Sequence, residues 1–463
     1  MHPPERVPAR LGLAFPLVCG CSFGLRCAGL TCRPISFICG DRPEGELEVV
    51  MVDTGINLRN SLLKLLVLCC LLVQVGRAHA VGIKIGDGEV WAKLGLLLQA
   101  RADFIDQAAP DGRSMDTDLY LRRLRILFWG QLNDKVNFFV QTDNPNLGKQ
   151  GDFSSRTFIQ DAWVELNLLA GLQVDAGMLL VPFSHHGMQG AISLHTVDYH
   201  SAVVRYPSGS NLVWRDYGVM ARGLVFDGLL EYRLAILNGV HGGSEDPRNP
   251  HDLPRLAGRL TVNVFEAEGG PGVGGFYYDG LYLRTGDSGV VSSRKILSMG
   301  VSFDWQPDLN VSFDEAGQIS GRSDYLALAA DLFFDLPLTG DGRLGTTGQV
   351  DFYYYDHGRL GSYSDGSPAS FYSGESGCAT CTSGLGLAAE AGLRYGAWEV
   401  LGLLDWFSAR DTPGDQGDLL AIAGGINWWW RGHATSIKLQ AGATSKDGGD
   451  WGFSGRLQIQ LLF

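Results

Sequence analysis

Apolar and polar side chains alternate with a period of two along most of the chain from residue 90 onward, whereas helical periodicity is almost absent. In VWAKLGLLLQARADF (residues 90–104), every even-numbered side chain is apolar, and Gln99, Arg101 and Asp103 lie on the opposite face. LQVDAGMLL, PRLAGRLTVNVF, ATSIKLQAGA and the final RLQIQLLF show the same two-faced pattern. Stretches of about ten such residues are long enough to cross a bilayer as tilted strands.

The turns between these stretches favour an antiparallel membrane barrel. Short turns, NDK (133–135), LAG (169–171) and FDG (226–228), alternate with longer polar loops. The aromatic runs YYY (353–355) and WWW (428–430) stand at strand ends, where they predict interfacial girdles. A soluble all-β protein would also alternate, but it would not need lipid-compatible faces and girdles together.

The length of the chain sets the size of the barrel. At roughly 24 residues per strand, the part of the chain from residue 81 predicts an all-β transmembrane barrel of about 16 antiparallel strands. Residues 306–322 leave room for one or two more strands, so a barrel of about 18 strands is the alternative.

The N-terminal region differs from the rest of the chain. Arg59 precedes the stretch SLLKLLVLCCLLVQVGRAHA (61–80), and Lys64 lies near its start. The apolar core that follows is too short for a membrane helix, and a small-x-small pattern ends at Ala80. This pattern predicts a secretory signal peptide cleaved before Val81. A cytoplasmic prefix is the alternative, but it would bury the signal inside the chain. The predicted organisation is an upstream extension at 1–50, the signal peptide at 51–80 and the barrel domain at 81–463.

Composition and charge narrow the class of partner. The chain has 63 glycines, 10% aromatic and 19% charged residues, and a net charge of −13. This balance argues against a nucleic-acid partner, which needs a basic face. Arginines outnumber lysines after residue 80, and a guanidinium binds oxyanions with two parallel hydrogen bonds.

Four short motifs resemble one known family. They are DAWVELNLLAGLQVDAGMLLVPFS, a strand–turn–strand that ends in a G-x-x-x-x-PF block, LYLRRLRILFWGQL with its paired arginines, ILNG before a long loop, and the terminal RLQIQLLF. The chain is similar here to the phosphate-selective porin O/P family of bacterial outer-membrane porins. The resemblance implies a homotrimer of 16-stranded barrels in outer-membrane lipid, with an arginine ladder that passes phosphate or related small anions. It also implies that the outer-membrane assembly machinery reads the C-terminal Phe463.

A long segment follows the fifth predicted strand. Alternation stops near Val181 and resumes at Tyr217. Porins fold the loop after their fifth strand into the lumen, so this segment predicts a constriction loop at 181–215. Arg205 is the candidate anion-binding residue within it, and four histidines accompany it. An external loop with incidental histidines is the alternative.

Cations of the inward face form the predicted pore lining. By strand parity and by the family resemblance, these are Arg101, Arg122, Arg123, Arg125, Arg205, Arg222, Arg233, Arg255, Arg259, Arg394, Lys438 and Arg456. Cations in a narrow channel raise the local concentration of anions and hand them along a series of weak sites. The same faces carry many carboxylates, so structural ion pairs are the alternative role for many of these arginines.

Cysteines and histidines give weaker signals. Cys378 and Cys381 lie in a Gly/Ser-rich loop as CATC, which in an oxidising compartment predicts a local disulfide. Zinc would need further ligands that this loop lacks, and a redox role would need a different fold. His185 and His186 lack the spacing of a metal site, so the sequence predicts neither a metal nor a cofactor.

The predicted function is therefore passive diffusion of small solutes through a water-filled channel. A general, weakly selective porin is the alternative within the same class. An outer-membrane barrel enzyme would have to use Ser193 or His195 in SLHTVDYH, but no complete nucleophile–base motif is present. An adhesin or purely structural barrel would show no conductance.

Overall fold

The computed structural model describes residues 81–85, 90–154, 156–204, 214–240, 249–269, 276–280, 282–286, 289–313, 318–356, 361–362, 368–369, 383–410 and 417–463. The predictions for residues 1–80, for Arg205 and for the Cys378–Cys381 disulfide lie outside these residues and stay predictions. The domain boundary at residue 81 also stays a prediction.

Sixteen antiparallel strands form one closed barrel. Each strand pairs with its neighbours along the chain, and the last strand also pairs with the first, from Leu97–Leu462 to Ile105–Ser454. The strands are β1 (Val90–Ile105), β2 (Asp116–Asn133), β3 (Val136–Leu147), β4 (Phe158–Leu169), β5 (Leu172–Leu180), β6 (Arg215–Val225), β7 (Leu230–Leu237), β8 (Arg255–Asn263), β9 (Ile296–Phe313), β10 (Ile319–Pro337), β11 (Leu344–Asp356), β12 (Gly384–Tyr395), β13 (Trp398–Ala409), β14 (Leu419–Trp429), β15 (Thr435–Lys446) and β16 (Gly452–Leu462). The predicted count of 16 is confirmed. The alternative of 18 is wrong because residues 306–313 and 319–322 belong to β9 and β10, which pair with each other up to Phe313 and Ile319.

Few elements stand outside this barrel in the described residues. A short N-terminal strand, Val81–Ile85, pairs with the beginning of β1, and two short hairpins join Leu283–Gly286 to Gly289–Ser292 and Gly361–Ser362 to Pro368–Ala369. Among the described residues, helix is limited to the 3-10 turn Lys149–Gly151 and the single-turn helix α1 (His185–Met188). No helix in the described part of the chain has the length and apolar character needed to span a membrane.

Alternation along each strand gives the wall an apolar outer face and a polar inner face. On β9, Val301 is 56% exposed, whereas its neighbour Ser302 is buried. Gly300, on the other side of Val301, lies against the guanidinium group of Arg259. Exposed leucine, isoleucine, valine and phenylalanine side chains continue this outer band around the barrel. Hydrocarbon outside and hydrogen-bonded polar groups inside satisfy both faces of a closed barrel.

The two aromatic runs obey the same alternation, so only part of each run can reach a membrane interface. Tyr353 and Tyr355 are fully buried inside the barrel, and so is Trp429. Trp428 faces outward, and its ring stacks on Trp398 with centroids 6.2 Å apart. The girdle predicted for residues 353–355 and 428–430 is therefore wrong for the three inward members of these runs.

The connections differ at the two ends of the barrel. At the end that holds Val90 and Phe463, here called the turn end, most connections are short, such as 134–135 and 170–171. Longer connections collect at the opposite end, here called the loop end. One turn-end connection breaks this rule, because residues 264–295 between β8 and β9 form a long insertion.

A charge on the outer face is expected to destabilise the barrel strongly. Val301→Arg places a guanidinium in the apolar band of β9, which costs about 2–4 kcal/mol near the bilayer midplane. Urea unfolding in phospholipid vesicles measures the loss, with Val301→Leu as the control of matched position. An unchanged free energy of unfolding for Val301→Arg would mean that this face does not meet hydrocarbon.

Candidate functional site

The inward loop, defined as residues 181–204, folds into the barrel interior after β5. Phe183 is fully buried, and its ring lies 6.0 and 6.4 Å from the rings of Tyr353 and Tyr355 on β11. Gly386 on β12 has no side chain where Val203 packs, since an added Cβ would come within 2.5 Å of Val203 Cγ1. The predicted inward-folded loop is confirmed for these residues, and the alternative of an external loop is wrong.

Three guanidinium groups meet one carboxylate where the inward loop passes β1 and β2. Asp198 of the loop accepts hydrogen bonds from Arg101 Nη1 at 2.7 Å, Arg122 Nε at 2.8 Å and Arg123 Nη2 at 2.8 Å. We call these four residues the triple-arginine cluster. All three arginines belong to the predicted pore lining, and the structure brings them together.

A β-bulge explains how two successive arginines reach the same carboxylate. Gln99 on β1 pairs with Arg123, but the next residue, Ala100, pairs with Leu121, so Arg122 is an extra residue on β2. Successive side chains of a regular strand point to opposite faces, and a bulge re-aims one of them. The bulge therefore places both guanidinium groups on the inner side of the wall.

The cluster carries more positive than negative charge and is partly open to solvent. The side chains of Arg122 and Asp198 are 21% and 19% exposed, whereas those of Arg101 and Arg123 are almost fully covered. Burial alone would raise the pKa of the Asp198 carboxyl, but the charges of Arg123, Arg122 and Arg101 outweigh it and hold the pKa well below its usual range. Asp198 therefore stays ionised, and one carboxylate balances three guanidinium groups.

Neighbouring side chains fix the geometry of the cluster. Gln458 Oε1 accepts from Arg101 Nη2 at 2.7 Å, and Gln99 Oε1 accepts from Arg123 Nη1 at 2.8 Å. Lys438 Nζ donates to the loop carbonyls of Leu194 and Thr196, the latter at 3.2 Å. Lys438 thus holds the backbone of the inward loop next to the arginines.

Most of the remaining cations of the predicted pore lining form ion pairs with one or two carboxylates of the wall. The closest partners are Asp143 for Arg125, Asp175 and Glu165 for Arg222, Glu231 for Arg233, Asp304 and Asp216 for Arg255, Asp331 for Arg259, and Asp335 for Arg394. Arg456 has a 36% exposed side chain, and its Nε lies 4.0 Å from Asp103 Oδ1. The ion-pair role is thus the one that the geometry favours outside the triple-arginine cluster.

Buried charges are segregated around the inner wall. Among the described residues, the basic sector (β15, β16, β1 and β2) buries Arg101, Arg123, Arg125 and Lys438 against Asp103 alone. The acidic sector (β9 to β13) buries Asp304, Asp331, Asp335, Asp351, Glu390, Glu399 and Asp405 against Arg394. Arg255 and Arg259 of the neighbouring strand β8 pair with Asp304 and Asp331, so the excess negative charge of the acidic sector comes from its other carboxylates.

The inward loop is complementary to both sectors. Its Asp198 faces the basic sector, whereas its histidines face the acidic one: His195 Nδ1 lies 3.0 Å from Glu399 Oε1, and His200 contacts both Glu390 and Asp405. Burial lowers the pKa of His200, but the Asp405 charge and the hydrogen bonds to both carboxylates outweigh it and raise the pKa to about 10. Opposite charges at two points therefore hold the loop across the lumen.

The structure does not assemble catalytic or metal-binding groups from the residues that the sequence suggested. Ser193 Oγ donates to the carbonyls of Gly190 and Tyr278, and His195 contacts Glu399 and Tyr282 instead of Ser193. The described residues contain no cluster of three metal-ligating side chains.

The geometry defines the class of the protein. A closed barrel of 16 antiparallel strands, apolar outside and charged inside, with an inward loop after the fifth strand, is the architecture of an outer-membrane porin. OmpF of Salmonella typhi, solved in complex with daunomycin, aligns with a TM-score of 0.53 at 10% sequence identity over 82% of this chain and 100% of that chain. The anion-selective porin from Comamonas acidovorans aligns with a TM-score of 0.50 at 12% identity over 81% of this chain and 100% of that one. At these identities the likeness shows the fold.

The family follows from the sequence. The model of the family described as phosphate-selective porin O and P matches residues 95–323, which confirms the family that the motifs indicate. The match includes the inward loop and three of the four motifs. No curated protein matches the chain. The protein is a β-barrel porin of the bacterial outer membrane.

Proposed function

We propose that the barrel is a passive channel for small anions such as phosphate, and that the triple-arginine cluster is its anion site. The observation that carries the proposal is the charge imbalance: three guanidinium groups share the single carboxylate of Asp198, and Arg122 keeps solvent access. Guanidinium groups bind phosphate through pairs of short hydrogen bonds. An anion that enters the lumen replaces or joins Asp198 as their partner.

A general, weakly selective porin is the second candidate, and the acidic sector favours it. Seven buried carboxylates face the interior from β9 to β13. Arg255, Arg259 and Arg394 pair with three of them, and the other four offset the attraction of the triple-arginine cluster for anions. The two candidates differ in selectivity and in saturation. In a channel with a binding site the conductance saturates at a low concentration of the solute. In a channel without such a site it does not saturate there.

We expect the purified protein in planar bilayers to give an anion-selective reversal potential in a salt gradient. Phosphate added at millimolar concentration should then block most of the chloride current, because it occupies the triple-arginine cluster. A cation-selective reversal potential rejects the anion proposal. Anion selectivity without block by phosphate favours the general porin.

Assembly and processing complete the proposal. We infer a homotrimer embedded in outer-membrane lipid, exported by the signal peptide at 51–80 and inserted by machinery that reads Phe463. In support, the Val81–Ile85 strand directly follows the predicted cleavage site, and Phe463 closes the barrel through paired backbone hydrogen bonds with Leu96 at 2.6 and 3.1 Å. Chemical cross-linking and N-terminal sequencing of the protein from outer membranes test these points. Cys378–Cys381 remains a proposed disulfide, and no turnover chemistry or cofactor is part of the proposal.

A further inference from the structure

The long turn-end connection between β8 and β9 also lies inside the barrel. We call its described residues, within 264–295, the turn-end segment. Phe276 and Tyr282 are almost completely buried, although no strand of the barrel contains them. The other turn-end connections are short turns, so the need to join two neighbouring strands does not explain the length of this insertion.

One side of the turn-end segment is bound to the inner faces of β4 and β7. Phe276 stacks on Trp163 with ring centroids 4.4 Å apart, and its carbonyl oxygen accepts a hydrogen bond from Arg233 Nη1 at 2.6 Å. Tyr278 OH donates to Glu231 Oε1 at 3.0 Å. These contacts place residues 276–278 in the lumen.

The middle of the turn-end segment meets the inward loop. Tyr278 N donates to Met188 O, and Gly190 N donates to Tyr278 O, both at 3.1 Å, which forms a short backbone bridge. Glu268 Oε2 lies 2.8 Å from His185 Nε2, and Tyr282 OH lies 2.9 Å from His195 Nε2. Two segments that enter from opposite ends of the barrel therefore touch inside it.

The far side of the turn-end segment reaches another part of the wall. Tyr282 packs on Phe333 of β10 with ring centroids 5.7 Å apart, and Ser292 Oγ accepts a hydrogen bond from Arg394 of β12. The segment thus extends across the interior from β4 and β7 to β10 and β12. A chain that crosses the lumen reduces the cross-section left for solutes.

We propose that the turn-end segment is a second constriction element, which sets the bore together with the inward loop. This inference rests on the channel function proposed above. A narrow cleft lies between the segment and β5 to β7; it is lined by Gln173, Arg222, Glu231, Arg233 and Gly269, among others. Solutes would then pass both the segment and the triple-arginine cluster at the inward loop, so size and charge are selected at two levels.

The hydrogen-bond ladder shows where the turn-end segment can be removed. Pairing between β8 and β9 continues past the strand ends, with Val264 N donating to Leu297 O at 2.8 Å and Glu266 N to Lys295 O at 2.9 Å. Replacing residues 267–294 with Asn-Gly would close this ladder with a two-residue hairpin turn. The excised variant keeps all sixteen strands, the inward loop and the triple-arginine cluster.

Single-channel recording of the excised variant tests the proposal. We expect its conductance to rise at least threefold over the wild type, with the sign of the reversal potential unchanged. Wild-type conductance in an excised variant that shows the circular dichroism and heat-modifiable migration of a folded barrel overturns the second constriction. A wild-type protein that fails to conduct overturns the channel function itself, so the two failures are distinguishable.

A second measurement on the full chain covers an excised variant that fails to fold. Gly269→Cys places a thiol in the cleft beside Arg222 and Arg233. An anionic methanethiosulfonate reagent should reduce the current of this variant by more than half, because it adds bulk and negative charge beside the turn-end segment. The wild type, which keeps its own cysteines, is the reagent control. A current that does not change on complete labelling contradicts the proposal.

Discussion

Asp198→Asn is expected to increase anion selectivity and to lower the phosphate concentration that blocks half of the chloride current by about tenfold or more. In the wild type the Asp198 carboxylate already occupies the guanidinium groups of Arg101, Arg122 and Arg123 at 2.7–2.8 Å. Asparagine keeps the size of the side chain but removes its charge, so an anion from solution has to balance the cluster. Phosphate does so better than chloride because it accepts paired hydrogen bonds from guanidinium groups. A tenfold change in binding corresponds to about 1.4 kcal/mol, well within the interaction of one charge with three.

The same substitution should make the stability of the barrel depend on the anion. Uncompensated buried charges cost about 3–5 kcal/mol, so the Asp198→Asn protein is expected to unfold at lower temperature in chloride and to recover in phosphate. Asp143→Asn is the matched control, since it removes a buried carboxylate that pairs with a single arginine, Arg125, at 2.8 Å. Equal effects of the two substitutions on phosphate block would contradict a special role for the cluster.

The barrel wall was predictable from the sequence because one physical constraint acts on every strand. Hydrocarbon on one side and water on the other impose a period of two, and the pattern is visible in VWAKLGLLLQARADF and in RLQIQLLF alike. Strand count followed from chain length and the spacing of turns. The last strand pairs with β1 and so belongs to the closed wall of the barrel. It therefore needs the same apolar outer face and polar inner face as the other strands.

The pairing of the charges was not predictable in the same way. Parity places Arg101, Arg123 and Arg125 on the inner face, but it does not show which carboxylate each one meets across the lumen. Arg122 has the wrong parity, and only the family motif suggested it; the bulge that turns it inward depends on register with β1. Asp198 was missed because the inward loop has no periodicity that would orient its side chains.

The turn-end segment was missed for a related reason. Alternation identifies strands and leaves everything between them as loops, and it does not show whether a loop folds inside or outside. Two signals were nevertheless present: the connection after PRLAGRLTVNVF is far longer than its counterparts at the turn end, and it contains the aromatic residues Phe276, Tyr277, Tyr278 and Tyr282. A long aromatic insertion where a porin normally has a tight turn needs a buried partner surface.

Charge segregation connects the fold to the bore. The inward loop is attached at both walls, by Asp198 to the basic sector and by His200 to the acidic sector. Electrostatic attraction to the two sectors therefore fixes the position of the loop in the lumen. Changing either attachment should therefore alter conductance as well as stability. On the acidic side the cation is a histidine, which loses its charge within an accessible pH range.

Raising the pH through about 10 is expected to release the inward loop from the acidic sector and to make the single-channel current larger and noisier. His200 lies 3.2 Å from Glu390 and also contacts Asp405, and its pKa is raised to about 10 from an ordinary value of 6.5. A group whose pKa is higher in the folded state stabilises that state fully below its unfolded pKa. The attachment is therefore complete below about pH 6.5, weakens above it and is lost as the pH passes about 10.

His200→Gln should show the high-pH behaviour at neutral pH, because glutamine leaves Glu390 and Asp405 without a cationic partner and costs the loop about 3–5 kcal/mol of attachment. His186→Gln is the matched control: His186 is buried 4.7 Å from His200, and burial together with the His200 charge lowers its pKa to about 3, so it is neutral throughout this range. Conductance and current noise recorded between pH 6 and 11 separate the cases. The His186→Gln channel should keep the transition near pH 10 and the His200→Gln channel should lack it; a transition that survives in His200→Gln would assign the pH response to another group.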